Sequence, residues 1–400
     1  MPFLQLGRPS SRLIFSYLLD WIVILATAGV GGALNFIEPY KRPFSLLNLD
    51  IAFPFAPSTV SVKTLVLVAV VAPGLLIFLL SILLIPGPSA IKPLTRGQLW
   101  RRKLWEWNVG WMGLGLSLAS AYFITQGMKN LFGVARPHML AVCQPDLSNI
   151  DSHIVGGFGQ DISARWTLVS ASICQTTDTA QLKDSFRSFP SGHSSTSWSG
   201  LLYLSLWFCA KFGVRIPTFA SRLASPSTSP DHLEGSLPVH RQDADSFPSQ
   251  RAPSLETASA APPTYLLVIA FVPIGAAIYI TSSRYADFHH HGFDVIFGSL
   301  IGITTSMLSF RYYQMPLSHH LTNGWAWGPR SKARAFGVGI GIERYVGEEG
   351  WDSSALGRNR RNTRRDENSM DSKEDVEMQR HTRSGSAESR GSAPLVGGNE

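Results

Sequence analysis

Thr64 to Ile85 reads TLVLVAVVAPGLLIFLLSILLI without a single charge, and that stretch narrows the possible folds more than any average over the chain. Hydrocarbon offers the backbone no hydrogen-bond partners. A segment of about 20 apolar residues, rising 1.5 Å each across about 30 Å, is therefore stable there only as a helix. Thr257 to Ser283 is equally uncharged, and Leu13 to Ile37 is interrupted only by Asp20, which should face the bundle or an interface. Trp107 to Met128 is uncharged and rich in Gly and Ser, as close helix packing in lipid favours. Ser194 to Ala210 is shorter and opens with a hydroxyl run, and Val295 to Phe310 is bounded by Asp294 and Arg311. The expected fold class is all-α, a polytopic membrane protein with a core of six transmembrane helices over residues 13–315.

Composition alone points elsewhere. A hydrophobic content of 44% and a mean hydropathy of +0.07 look like a soluble protein. The apolar residues are nevertheless gathered in blocks, and charged residues reach only 16% against the usual roughly 25%. Three cysteines exclude a disulfide-framework mini-protein. The net charge of +7 would suit nucleic acid, but no basic element interleaved with aromatics and no zinc spacing supports such a partner.

The basic residues serve a topology argument instead. Lys92, Arg96, Arg101, Arg102 and Lys103 crowd one short loop, and Lys211, Arg215 and Arg311 sit beside helix ends. Positive charge close to short helix ends marks the cytoplasmic face, and Trp100, Trp105, Trp107 and Trp111 suit a headgroup-level belt beside it. Alternation then assigns Glu38 to Lys63, Lys129 to His193 and Arg284 to Phe293 to the lumen or exterior. Residues 221–263 are rich in Ser and Pro, and residues 351–400 mix bases and acids; both are expected to be disordered and cytoplasmic. The first apolar segment is long enough to span and lacks a small-residue cleavage site, so no cleavable signal is expected.

Three polar clusters adjoin helix ends on the non-cytoplasmic side: KNLFGVARP (Lys129 to Pro137), FPSGHSS (Phe189 to Ser195) and SSRYADFHHHGFD (Ser282 to Asp294). Together they hold what phosphate chemistry demands. Phosphate monoester hydrolysis is among the slowest uncatalysed reactions, so transition-state charge must be strongly stabilised. Lys129, Arg136 and Arg284 can neutralise the equatorial oxygens, the arginines with bidentate geometry. Backbone N–H groups around Ser191 and Gly192, at a helix start, offer a further anion cradle. Asp294 lies four residues after His290, a spacing that on a helical turn lets the carboxylate hold one ring nitrogen and leave the other bare for attack. Neither His289 nor His291 has an acid at that favourable spacing. His193, from another loop, can protonate the leaving alkoxide. Cys143 and Cys174 lie in the stretch between the first two clusters, where a non-cytoplasmic compartment permits a bridge between them. Cys209, within the fourth apolar segment, is expected to be a buried, inert thiol.

The patterns K-x6-R-P (Lys129 to Pro137), P-S-G-H (Pro190 to His193) and S-R-x5-H-x3-D (Ser283 to Asp294), in that order, resemble the three-part signature of the type 2 phosphatidic acid phosphatase and haloperoxidase superfamily. RPHMLAVCQP and SRYADFHHHGFDVIFGSL are similar to fungal diacylglycerol pyrophosphate and lipid phosphate phosphatases. The resemblance implies a metal-independent hydrolase without cofactors, its site at the non-cytoplasmic helix ends, acting on phosphatidic acid, lysophosphatidic acid or diacylglycerol pyrophosphate through a phosphohistidine. It implies that His290 is the nucleophile, Asp294 its orienting partner and His193 the acid and then base, with Lys129, Arg136, Ser191, Gly192 and Arg284 on phosphate. The partners are then a lipid substrate and the bilayer of the vacuole, Golgi, endoplasmic reticulum or plasma membrane. Two alternatives stay open: a lipid phosphotransferase such as an inositol phosphorylceramide synthase, and a non-catalytic anionic-lipid-binding protein or transporter.

Overall fold

One long helix forms the greater part of each apolar segment in the computed structural model, which describes residues 11–85, 87, 95–163, 165–214, 263–315, 326, 327, 330 and 336. The helices are α1 (Ser11–Leu34), α2 (Val62–Leu83), α3 (Arg96–Phe132), α4 (Gly192–Phe212), α5 (Thr264–Ala286) and α6 (Gly292–Tyr313). Of the described residues, Ile14–Trp327 belong to one contact unit, while Ser11–Leu13, Arg330 and Phe336 belong to a second. The expectations for residues 221–263 and 351–400 lie, but for Pro263, outside the described residues.

Among the described residues, four helices, α1, α2, α5 and α6, are long and apolar enough to cross a membrane. The more polar α4 is covered by protein along most of its length, and α3 along part of its surface, with Trp100, Phe123 and Leu131 exposed. On α4 that cover lets serine replace leucine: Ser194, Ser195, Ser197, Ser199 and Ser205 are all buried. Several of their hydroxyls find carbonyls one turn back, such as Ser197 to Ser194 at 3.1 Å and Ser199 to Thr196 at 3.0 Å. Small side chains also let helices approach closely. A Cβ on Gly298 of α6 would stand 2.5 Å from the Ser191 carbonyl oxygen, and one on Gly302 2.5 Å from that of Ser195.

Local chemistry sets the ends. A capping box between Thr95 and Gln98 starts α3 well before its uncharged stretch, and Gly133 in the left-handed region (φ 56°) ends it. At 37 residues it is about 55 Å long. Inside α2 a π-helical stretch, Leu67–Val71, precedes Pro73, which cannot donate to the Ala69 carbonyl; Gly200 of α4 packs against that carbonyl.

Residues 139–188 form a cap of short helices and a two-stranded antiparallel pair, β1 (Ile154–Gly156) and β2 (Leu168–Val169). Its core joins Phe44, Ile51, Met139, Val169, Ile173 and Phe186, and Cys143 is disulfide-bonded to Cys174 with Cα atoms 4.6 Å apart. At the far end of the bundle, Lys211 of α4 pairs with Glu106 of α3 at 2.6 Å, both buried. Glu106 also accepts the Ala326 N–H at 3.2 Å, and Cys209 is a buried free thiol.

Candidate active site

At the capped end of the bundle, three turns deliver the polar clusters to one place. Lys129 is in the last turn of α3, buried, and donates to the Arg187 carbonyl at 3.0 Å. After the Gly133 turn, Arg136 is pinned by Asp184, whose carboxylate stands 2.8 Å from Nη2 and whose carbonyl accepts Nε–H at 2.9 Å. Burial opposes charge on the Asp184 carboxyl, yet Arg136 and Lys129 hold it below the ordinary range.

Ser191 is the N-cap of α4 and accepts the Ser194 N–H at 3.4 Å. Its own N–H donates to the Asp294 carbonyl at 2.9 Å. The expected cradle is thus corrected at one point, since the Ser191 amide is spent on joining α4 to α6. Gly192 faces the Lys129 ammonium: a Cβ there would lie 3.9 Å from Nζ. Arg284, in the last turn of α5, is 1% exposed and paired with Asp287, and it donates to the Ser58 hydroxyl at 3.3 Å.

The histidine run needs a second correction. His290 precedes α6, whose N-cap is His291 and whose third residue is Asp294, so the His290–Asp294 pair spans a cap and does not lie along a helical turn. His290 Nδ1 is 3.6 Å from Asp294 Oδ2, and His291 Nδ1 is closer, at 3.3 Å. The spacing argument therefore undercounted the groups that Asp294 serves. The same oxygen accepts the His291 N–H at 2.9 Å and the Ser188 hydroxyl at 2.5 Å. His291 Nε2 faces the Asp50 carbonyl at 3.2 Å, so both ring nitrogens meet acceptors. The Asp294 hydrogen bond accordingly raises the His291 pKa. His290 is the opposite case: burial, reinforced by Arg136 and Lys129, pushes it well below 6.5 and keeps the ring neutral. Burial also lowers His289, and brings His138 to about 4.

Lys129, Arg136, Gly192, His193, Arg284 and His290 all line one cavity of about 580 Å³. Ser191 and Asp294 stand behind its wall. The other end of the cavity is apolar, lined by Trp21, Ile24 and Leu25 of α1, Leu65 and Val66 of α2, and Leu118 of α3. Cations and three histidines, His193, His289 and His290, at one end of an apolar slot suit an anionic headgroup on a hydrocarbon tail. Among the described residues, no group of three or more His, Cys, Asp or Glu side chains is placed to hold a metal ion.

Sequence reasoning missed Asp184, Ser188, Ser58 and Asp287, and it set His289 aside. Asp287 was within reach, three residues after Arg284. Asp184 lies 48 residues from Arg136, and Ser188 lies 106 residues from Asp294, so no spacing signals either.

The family profile described as the PAP2 superfamily matches residues 110–317, more than half of the chain. Among curated proteins, the chain is 28% identical over 286 residues to diacylglycerol pyrophosphate phosphatase 1 of Saccharomyces cerevisiae, covering 71% of this chain and 75% of that protein. It is 27% identical to a probable diacylglycerol pyrophosphate phosphatase 1 of Schizosaccharomyces pombe, covering 77% and 85%. Phospholipid phosphatase 2 of Bos taurus is 24% identical, covering 74% and 81%. No solved structure gives a significant match.

Proposed function

Because this chain belongs to the PAP2 superfamily, whose members are multi-pass membrane proteins and lipid phosphate phosphatases, we propose that it hydrolyses phosphatidic acid, lysophosphatidic acid or diacylglycerol pyrophosphate through a phosphohistidine, without metal. The observation that carries the reading is the single cavity with Lys129, Arg136, His193, Arg284 and His290 at one end and the apolar faces of α1, α2 and α3 at the other.

In this mechanism the lipid phosphate sits among Lys129, Arg136 and Arg284, whose fixed charges stabilise the equatorial oxygens as negative charge develops. His290 is neutral, and its Nδ1 side faces Asp294, so Nε2 attacks phosphorus in line. Asp294 stabilises the imidazolium that forms. His193 gives a proton to the departing lipid oxygen and then takes one from the water that cleaves the phosphohistidine. Ser191 and Gly192 shape the phosphate pocket, the first as the α4 cap and the second by leaving room beside Lys129.

The same reading has six helices spanning the bilayer, with the serine-rich α4 the most enclosed of them. The site then faces the lumen or exterior, because the basic loop 92–103 marks the opposite face as cytoplasmic.

The test is phosphate release from short-chain phosphatidic acid and from diacylglycerol pyrophosphate, in detergent with EDTA, for wild type and His290→Ala. Metal-independent release that disappears in the variant is expected. Equal release from both proteins, or an absolute need for Mg²⁺, would overturn the mechanism. Products that carry phosphate on an added alcohol in place of free phosphate would favour a transferase.

A further inference from the structure

Residues 53–60, between α1 and α2, cross the polar end of the cavity as a strap and touch all three motifs. The Phe53 N–H donates to the Pro137 carbonyl at 2.9 Å, and its ring stacks on Phe288 with centroids 4.9 Å apart. Thr59 donates to Asp287 twice, through its N–H at 2.8 Å and its hydroxyl at 2.6 Å. Ser58 Oγ is 3.0 Å from His289 Nε2, and the Val60 carbonyl is 3.1 Å from His193 Nε2.

With the histidine rings neutral before substrate binds, their carbonyl partners assign the donors in this network. A carbonyl only accepts, so His193 Nε2 carries the hydrogen that meets Val60. Nδ1 is then the His193 nitrogen left to exchange a proton. In the same way the Asp287 carbonyl takes the His289 Nδ1–H at 2.9 Å, so His289 Nε2 accepts the Ser58 proton. The Ser58 lone pairs are left for the Arg284 N–H.

We propose that Ser58, Thr59 and the Val60 carbonyl are positioning residues for leaving-group protonation. They fix His193 in the one tautomer that aims Nδ1 at the lipid oxygen, and they hold Arg284 in plane through Ser58 and Asp287. The inference rests on the phosphatase reading above. In the step it concerns, the bond from phosphorus to the glycerol oxygen breaks as the His290 Nε2–phosphorus bond forms. The negative charge of the bound phosphate favours the His193 imidazolium, whose Nδ1 proton passes to that oxygen while Nε2–H stays on Val60.

The experiment compares short-chain phosphatidic acid with its analogue carrying sulfur in place of the bridging oxygen, whose thiolate departs without a proton. Full-length wild type, Thr59→Val and Thr59→Ser are assayed in detergent, and the readout is the ratio of kcat on the two substrates, which is independent of how much enzyme is folded. Since a general acid contributes about 10²- to 10⁴-fold, a loosened strap is expected to lower kcat on the oxygen ester about tenfold. Any loss at Arg284 falls on both substrates alike and cancels in the ratio, so the sulfur analogue should keep far more of its turnover than the oxygen ester, and Thr59→Ser, which keeps the hydroxyl, should restore the wild-type ratio. A ratio unchanged in Thr59→Val, or lowered equally in Thr59→Ser, overturns the inference alone. If Thr59→Val does not accumulate, Ser58→Ala is read by the same ratio. Wild type inactive on both substrates overturns the phosphatase reading and this inference with it.

Discussion

One carboxylate oxygen, Asp294 Oδ2, takes a side-chain donor from Ser188, a backbone donor from His291 and the ring of His291, and it still faces His290. Four groups on a single oxygen fix where its charge lies. Removing the Ser188 hydroxyl should therefore let the carboxylate turn away from His290. Hydrogen bonds to charged groups contribute about 1.5–3 kcal/mol, so Ser188→Ala is expected to lower kcat about tenfold or more with KM little changed, as steady-state kinetics would register. A second consequence concerns pH. Protonated His290 cannot attack, and its pKa is depressed by burial and by Arg136 and Lys129. Acid inactivation is therefore displaced to lower pH: kcat/KM should show no acid-side decline until the pH is below 6.5. A pH–rate profile with its acid limb at or above 6.5 would contradict the neutral buried ring. At this scale the motif residues were legible because each motif is a short local pattern. The donors that hold them were not. Ser188 meets Asp294 only through the packing of α4 on α6, and the claim of His291 on the carboxylate comes from a helix cap that i, i+4 spacing ignores.

Between elements, the contact of α6 with α4 is set by Gly298 and Gly302, one turn apart on the face that meets Ser191 and Ser195. Neither position has room for a methyl group. Overpacking of this kind costs about 1–3 kcal/mol, so Gly298→Ala and Gly302→Ala should lower the apparent Tm in detergent. Gly275→Ala on α5, where a Cβ meets nothing within 4 Å, should leave it unchanged. Gly298→Ala should also lose activity in the protein that remains folded, because the atom it displaces belongs to the cap of α4. Apolar periods and charge gaps made the long helices legible, but their ends were less so. The uncharged window Trp107 to Met128 omits the first eleven residues of α3, which are polar and basic and are helical because Thr95 and Gln98 cap them.

Over the whole molecule, the cap at 139–188 is the part least visible in the sequence, since its core depends on Phe44 and Ile51 arriving from before α2. The Cys143–Cys174 bridge closes a loop over a sequence separation of 31, for which restriction of the unfolded chain predicts about 3.7 kcal/mol. Cys143→Ser or Cys174→Ser should thus lower thermal stability and phosphate turnover together, because Asp184, which pins Arg136, lies in the same cap; an unchanged melting curve would deny the bridge that role. The opposite end of the bundle carries a consequence for how the protein is made. Glu106 and Lys211 are 105 residues apart in the chain and are buried against each other. A buried charge without its partner costs several kcal/mol. During synthesis α3 emerges long before α4, so until Lys211 is translated Glu106 shares its charge with Arg102, one turn earlier on its own helix, rather than with its final partner. This end of the core is therefore closed only once α4 has been made, however early α3 is inserted.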